Sequence, residues 1–456
     1  MTIPASQYRY SIRLFRKSHT ISVQSMLLAI AGIAIVLRLA SALVQGNNVA
    51  ELPGIFDQVS YDSLASRVVA GYGFSFAENH WPLTRAGEPT AHWSFLYTLY
   101  LAGIYALFGH QPVVARLLQA VIAGGLQTYL TYLIAEKAFS KTIGLIAAGI
   151  SAFYIYFIYY GGALMTEPFY ITAILCSLFL AMRIAETDDR KHDIKLGLGL
   201  GIAIAVTIIL RQVFLLFIPF MFLWIWITRL RLRLRLPIVS TILSLSLVVL
   251  CVLPISLYNQ YRFGRFVLLN TNSGYAFFWG NHPIYGTRFI PILPSETYLS
   301  LVPEELRNLD EAALDQALLQ RGIQFVFDDP KRYLLLSLSR IPAYFVFWPS
   351  SDSGLLSNIS RVSSFGVMFP FMVYGLFLSV RKKQFLNLLI SPSGLLILFI
   401  GIYAAVHLLT WALIRYRLPI DAVLIPFAAY SLLQVFEQIT KRTARYAPNL
   451  DSESSR

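Results

Sequence analysis

Apolar residues run along this chain in blocks long enough to cross a lipid bilayer, with polar punctuation between them. A helix needs roughly 20 apolar residues to span about 30 Å of hydrocarbon. Ten runs approach or exceed that length: 22–44, 113–135, 142–160, 168–185, 195–210, 212–228, 237–258, 363–380, 391–413 and 416–436. Two shorter amphipathic stretches, 93–108 and 333–349, are ambiguous by length. The pattern predicts an all-α polytopic membrane protein, a bundle of about ten transmembrane helices with interfacial helices in the first and a later outer loop. A further amphipathic helix is predicted from Pro303 to about Phe327. Pro303 suits a first helical position, Glu304 and Glu305 complement the helix dipole, and Asp329-Pro330 ends it.

The order of the spans follows from the cations. With the N-terminal Arg9, Arg13, Arg16 and Lys17 in the cytoplasm and ten crossings, Lys137, Lys141, Arg190, Lys191 and Lys195 also fall on the cytoplasmic side. So do Arg229, Arg231, Arg233, Arg235, Arg381, Lys382, Lys383 and the tail residues Lys441, Arg442 and Arg445. Counting 93–108 as an eleventh crossing would put the four-arginine cluster outside. The expected organisation is therefore a cytoplasmic segment 1–21, a membrane domain 22–440 with outer loops 45–112 and 259–361, and a cytoplasmic, disordered tail 441–456. Both termini are expected in the cytoplasm and the protein in the cell membrane.

Composition narrows the function classes. The chain is 56% hydrophobic, which a soluble protein of 456 residues cannot hide, and no cleavable signal peptide is expected, the first apolar run being longer than a signal core. Its net charge of +13 reports orientation, with no soluble basic domain to bind nucleic acid. Cys176 and Cys251 lie inside apolar runs and read as buried hydrophobes. His80, His92, His110, His282 and His407 have no metal-ligand spacing. Asn358-Ile359-Ser360 matches an N-glycosylation acceptor on the outer side.

Polar residues instead crowd the outer face. Asp57, with Tyr61 and Asp62, opens the first outer loop; His92 starts the short segment after it; Glu167 stands in a small outer loop, 161–168. Arg211 lies between two apolar runs, where a charge costs a few kcal/mol unless it is paired or faces a polar cavity. Arg415 and Arg417 flank Tyr416 at the start of the last span, as a phosphate clamp or as interfacial anchors. Asp57 is equally consistent with a solvated loop carboxylate, and Glu167 with a helix cap. Arg38, one turn from the end of the first span, reads as a cation snorkelling to the headgroups.

Taken in order, these motifs resemble the GT-C-fold glycosyltransferases, in particular the family 39 branch of protein O-mannosyltransferases, lipid A aminoarabinose transferases and their bacterial relatives. The resemblance covers about residues 20–440. Asp57-Gln58-Val59-Ser60-Tyr61 through Ala65 is similar to the family's first-loop Asp-Glu…Tyr pattern, with Gln58 in place of the frequent Glu. Gly71-Tyr72-Gly73-Phe74 resembles the turn that follows. Trp93-Ser94-Phe95-Leu96-Tyr97-Thr98, ending at Phe108-Gly109, resembles the juxtamembrane helix without its two prolines. Thr166-Glu167-Pro168, Leu210-Arg211, Trp279-Gly280-Asn281-His282-Pro283 and Arg415-Tyr416-Arg417-Leu418-Pro419 match later family positions.

The resemblance implies a polyprenyl-phosphate sugar as donor and a lipid, glycan or protein acceptor, with surrounding membrane lipids and no nucleic acid as partners. It implies Asp57 as general base and Glu167 as a second catalytic carboxylate that binds sugar hydroxyls, assists Asp57 or helps hold a divalent metal ion. Tyr61, His92, Arg211, Asn281, Arg415 and Arg417 are the implied substrate-binding residues. No cofactor is certain. The competing readings are a secondary transporter or lipid flippase, and a GT-C-like polymerase or ligase acting on a diphosphate-linked glycan.

Overall fold

The computed structural model of the chain describes residues 10–12, 19–52, 55–351, 353–382 and 384–446, with backbone only at 10–12, 19–21 and 442–446. The predicted N-terminal cations Arg9, Arg13, Arg16 and Lys17, Lys383, the side chains of Arg442 and Arg445, and the tail beyond 446 lie outside the described residues.

Among the described residues the order is helical, apart from a three-residue strand Tyr10–Ile12 paired antiparallel with His19–Ile21. The helices are α1 (Val23–Gln45), α2 (Asp57–Val69), α3 (Phe95–Phe108), α4 (Pro112–Ala138), α5 (Lys141–Phe153), α6 (Ile155–Gly162) and α7 (Glu167–Glu186). They continue as α8 (Arg190–Leu210), α9 (Ile218–Arg231), α10 (Ile238–Phe263), α11 (Ser273–Asn281), α12 (Ser295–Leu301), α13 (Glu311–Asp328) and α14 (Pro330–Tyr344). The last are α15 (Leu355–Ser360), α16 (Val367–Arg381), α17 (Phe385–Leu389), α18 (Pro392–Leu409) and α19 (Ile414–Tyr446).

Among the described residues, nine helical stretches are long and apolar enough to cross a bilayer, and α5 with α6 makes a tenth. They stand where the apolar runs predict them, and the chain is a multi-pass membrane protein. The tenth is bent by 52°. Its break is Tyr154, which turns extended, and whose hydroxyl donates to Asp421 Oδ2 at 2.8 Å. At 14 residues, α3 is only about 21 Å long and cannot cross. The cation-rich ends are tied together at the far side of the bundle: Lys137 to Glu186, and Arg229 to Asp193 and to the Arg235 carbonyl.

Two expectations are corrected. The helix predicted from Pro303 starts instead at Glu311, because Asp310 caps it, accepting from the Ala313 amide at 2.8 Å; Pro303 leads only into the turn Glu304–Leu306. Its predicted end holds, and Asp329-Pro330 also opens α14, with Asp329 accepting from the Arg332 amide. Arg38 does not snorkel. It is fully buried and donates to the carbonyls of Ala34 and Ser151, at 3.1 and 3.3 Å. Gly161 and Gly124 make the room: a Cβ on either would come within 2.9 or 3.2 Å of the Arg38 side chain.

The two long loops, 45–112 and 259–361, close over the same end of the bundle. Glu311 pins them: it accepts from Thr84 Oγ1 and the Ala91 amide at 2.8 Å each, and from Thr271 Oγ1 at 2.5 Å. One turn on, Asp315 accepts from the Gly274 and Tyr275 amides at 2.7 and 3.2 Å, and burial pushes its carboxyl up to about 7. Gly274 allows that approach, since a Cβ there would strike the Asp315 backbone.

Candidate active site

Two helices begin with a carboxylate at this end of the bundle. Asp57 is the first residue of α2, and Glu167 the first of α7, so each negative charge sits where the free backbone amides favour it. Each is paired with an arginine from a place where helical structure starts or stops. Arg415, the second residue of α19, donates from Nη1 to Asp57 Oδ2 at 2.7 Å. Arg211, extended between α8 and the turn before α9, donates to Glu167 Oε1 at 2.5 Å and to Thr166 Oγ1 at 2.8 Å. The two guanidinium groups share the Tyr416 ring, with centroid distances of 5.5 Å for Arg211 and 5.1 Å for Arg415. Arg415 Nη2 also stands 3.3 Å from the Tyr416 hydroxyl.

The pairs differ in how tightly they are held. Glu167 is 1% exposed, against 18% for Arg211, 18% for Asp57 and 15% for Arg415. Arg211 has two side-chain oxygens as partners, whereas Arg415 Nε is buried without one. Tyr61, one turn beyond Asp57, packs edge-on against Trp93 and Tyr97 at 5.6 and 4.9 Å. Burial, then the charge of Asp57, raises its phenol well above the ordinary range, with Arg211 opposing and Glu167 adding to the shift. Tyr61 is a neutral phenol that feels the charges of Asp57, Glu167 and Arg211.

Asp57, Tyr61, Glu167, Arg211 and Arg415 therefore converge as the sequence suggested, and the other candidates do not. Arg417 is fully buried and turned away, as two residues along a helix point about 200° apart. It donates to Asp421 Oδ1 at 2.9 Å and to the carbonyls of Tyr344 and Val346 at 2.8 and 3.2 Å, so its charge is spent on holding structure. Asn281 is buried with both ends of its amide committed, Oδ1 to Arg340 at 2.8 Å and Nδ2 to the Phe277 carbonyl at 3.0 Å. His92 lies in the seam between the loops, its Nδ1–H donating to the Thr271 carbonyl at 3.1 Å. Burial lowers its proton affinity, so it is neutral at pH 7 and offers a phosphate no charge. Asp62 is drawn off by the Tyr105 hydroxyl and His110 at 2.5 and 2.9 Å.

Thr166 and Tyr416 are the residues that sequence reasoning passed over. Both adjoin singled-out positions, and only the geometry shows one orienting Arg211 and the other separating the arginines. Among the described residues no three metal-ligating side chains converge, and both site carboxylates already face guanidinium groups. The glycosylation match does not present its side chain: Asn358 Nδ2 donates to the Ser350 and Ser353 carbonyls, at 2.8 and 3.1 Å.

Residues 92–258 match the model of the dolichyl-phosphate-mannose-protein mannosyltransferase family, a segment that includes His92, Glu167 and Arg211 but neither Asp57 nor Arg415. The oligosaccharyltransferase AglB of Archaeoglobus fulgidus, solved with an inhibitory peptide and a dolichol-phosphate, superposes with a TM-score of 0.57 over 92% of this chain at 18% identity. The fold is GT-C-like. The apo form of the Archaeoglobus fulgidus oligosaccharyltransferase gives the same TM-score at 17% identity. This chain spans about half of those proteins, 51% in each case. ArnT from Cupriavidus metallidurans, bound to undecaprenyl phosphate, aligns over 92% of this chain and 80% of its own at 14% identity, with a TM-score of 0.39. Comparison with curated protein sequences returned no match. In this fold the paired carboxylates and arginines lie at one end of the bundle, under the two long loops.

Proposed function

We propose that this protein is an integral-membrane glycosyltransferase that moves a sugar from a polyprenyl-phosphate donor to an acceptor hydroxyl on the extracytoplasmic face. One observation carries the reading: two carboxylate–arginine pairs meet around Tyr416, with Asp57 and Arg415 reachable from outside the protein. A carboxylate can take a proton, and two guanidinium groups can hold a phosphate. The matched mannosyltransferase segment and the shared GT-C-like fold support this chemistry.

In the reaction, Asp57 accepts the proton of the attacking hydroxyl as its oxygen bonds to the anomeric carbon. The bond from that carbon to the phosphate oxygen breaks, its electron pair staying on the phosphate. Arg211 and Arg415 neutralise the charge that develops there, so no strong general acid is required. A single displacement inverts the anomeric centre. Glu167 fixes Arg211, and Tyr61 offers a hydroxyl to the sugar. Among the described residues no three metal-ligating side chains converge on the site. The cation-rich far end of the bundle supports cytoplasmic termini.

The transporter and flippase readings part from this one in detergent, where a transferase turns over without a sealed membrane. Purified protein is expected to consume a polyprenyl-phosphate sugar under those conditions. Arg415→Ala is expected to raise the donor KM or lower kcat, by about 10- to 100-fold in kcat/KM. An unchanged response to donor concentration would make Arg415 a structural anchor.

A further inference from the structure

The same arginine serves two partners in this reading. Asp57 must turn to the acceptor to take its proton, yet the ion pair with Arg415 holds its Oδ2 at 2.7 Å. The phosphate must be gripped by Arg415, yet that side chain is committed to Asp57. Arg211 faces no such conflict, because Glu167 and Thr166 hold it in place.

Resting on the proposed transferase reading, we propose that Arg415 is exchanged between Asp57 and the donor phosphate, so that Asp57 is released as a base only once the donor is seated. The asymmetry of the two pairs supports the assignment. Arg211, bound to a nearly inaccessible Glu167, is the fixed half of the phosphate site. Arg415 has one charged partner, a 3.3 Å contact with the Tyr416 hydroxyl and a buried Nε without a partner, so it can turn with few bonds to break. Tyr416 supports both guanidinium groups, which gives Arg415 a surface to pivot on while its charge passes from carboxylate to phosphate. Without donor, Asp57 stays paired with Arg415 and is held away from acceptor and water. With donor, the phosphate draws Arg415 away and leaves the carboxylate beside the anomeric centre.

The consequence is competition that binding can read. If Arg415 is free of Asp57 about a tenth of the time, apparent phosphate affinity is weakened about tenfold. Undecaprenyl phosphate, binding to the purified full-length protein in detergent, is the probe. Asp57→Ala is expected to bind it about tenfold more tightly than wild type, with Asp57→Asn tighter in the same direction. Arg415→Gln is expected to bind it more weakly, and the double variant Asp57→Ala/Arg415→Gln no better than Arg415→Gln alone. Simple repulsion between Asp57 and phosphate would leave the tightening intact in the Arg415→Gln background, and that result overturns the exchange. So does an Asp57→Ala variant that binds no more tightly than wild type. Wild-type protein that fails to bind the probe at all sinks the donor class itself, and the exchange with it.

Discussion

Asp57→Asn is expected to lower the transfer rate by about 100-fold or more while the protein stays folded and inserted. The amide is nearly the size of the carboxylate, so the packing of α2 against α3 and the loop before it need not change. What disappears is the proton acceptor. Of the two site carboxylates, Asp57 is the partly exposed one; Glu167 is buried against Arg211. Loss of rate should therefore come with donor binding that is retained or improved, which places the defect in kcat. Turnover of a polyprenyl-phosphate sugar by purified wild-type and variant protein measures both. Transfer at the wild-type rate would remove Asp57 from the role of base.

Arg417→Ala is expected to act in the opposite way, costing about 3–5 kcal/mol of stability with little specific effect on the donor. Arg417 and Asp421 are both fully buried and joined at 2.9 Å, and the Tyr154 hydroxyl donates to the same carboxylate at 2.8 Å. The guanidinium also lies 3.4 Å from the Phe365 ring centroid and bonds the Tyr344 and Val346 carbonyls. One side chain thus ties α19 to the end of α14 and, through Asp421, to the break between α5 and α6. Removing it strands a carboxylate in the bundle interior. Thermal unfolding of the purified variant reports the loss, with Arg415→Ala as the comparison expected to unfold near wild type. If Arg417→Ala unfolds like wild type yet loses its response to donor, Arg417 belongs with Arg211 and Arg415 on the phosphate.

The contrast between these arginines shows where the sequence is legible. The ten spans are legible because each is a long apolar run. Asp57, Glu167, Arg211 and Arg415 are legible as polar residues at span ends on one predicted face. Their pairing is not, since Asp57 and Arg415 are separated by almost the whole chain. Arg417 matches Arg415 in type and neighbourhood, and only the helical phase of α19 sends it inward. Arg38 looks like a snorkelling cation until Gly124 and Gly161, remote in sequence, are seen to open a pocket for it. Tyr154 breaks a span within a run that holds no proline, because Asp421 on another helix claims its hydroxyl. Local pattern specifies the elements, and partners distant in sequence decide what each charge is for.

The identity of the donor can be read by mass spectrometry of lipid extracts. Cells lacking the protein should accumulate a polyprenyl monophosphate sugar. Restoring the wild-type chain should clear it, and restoring Asp57→Asn should not. An unchanged pool of that lipid, with a diphosphate-linked glycan accumulating in its place, would contradict the account and point to a ligase or polymerase instead.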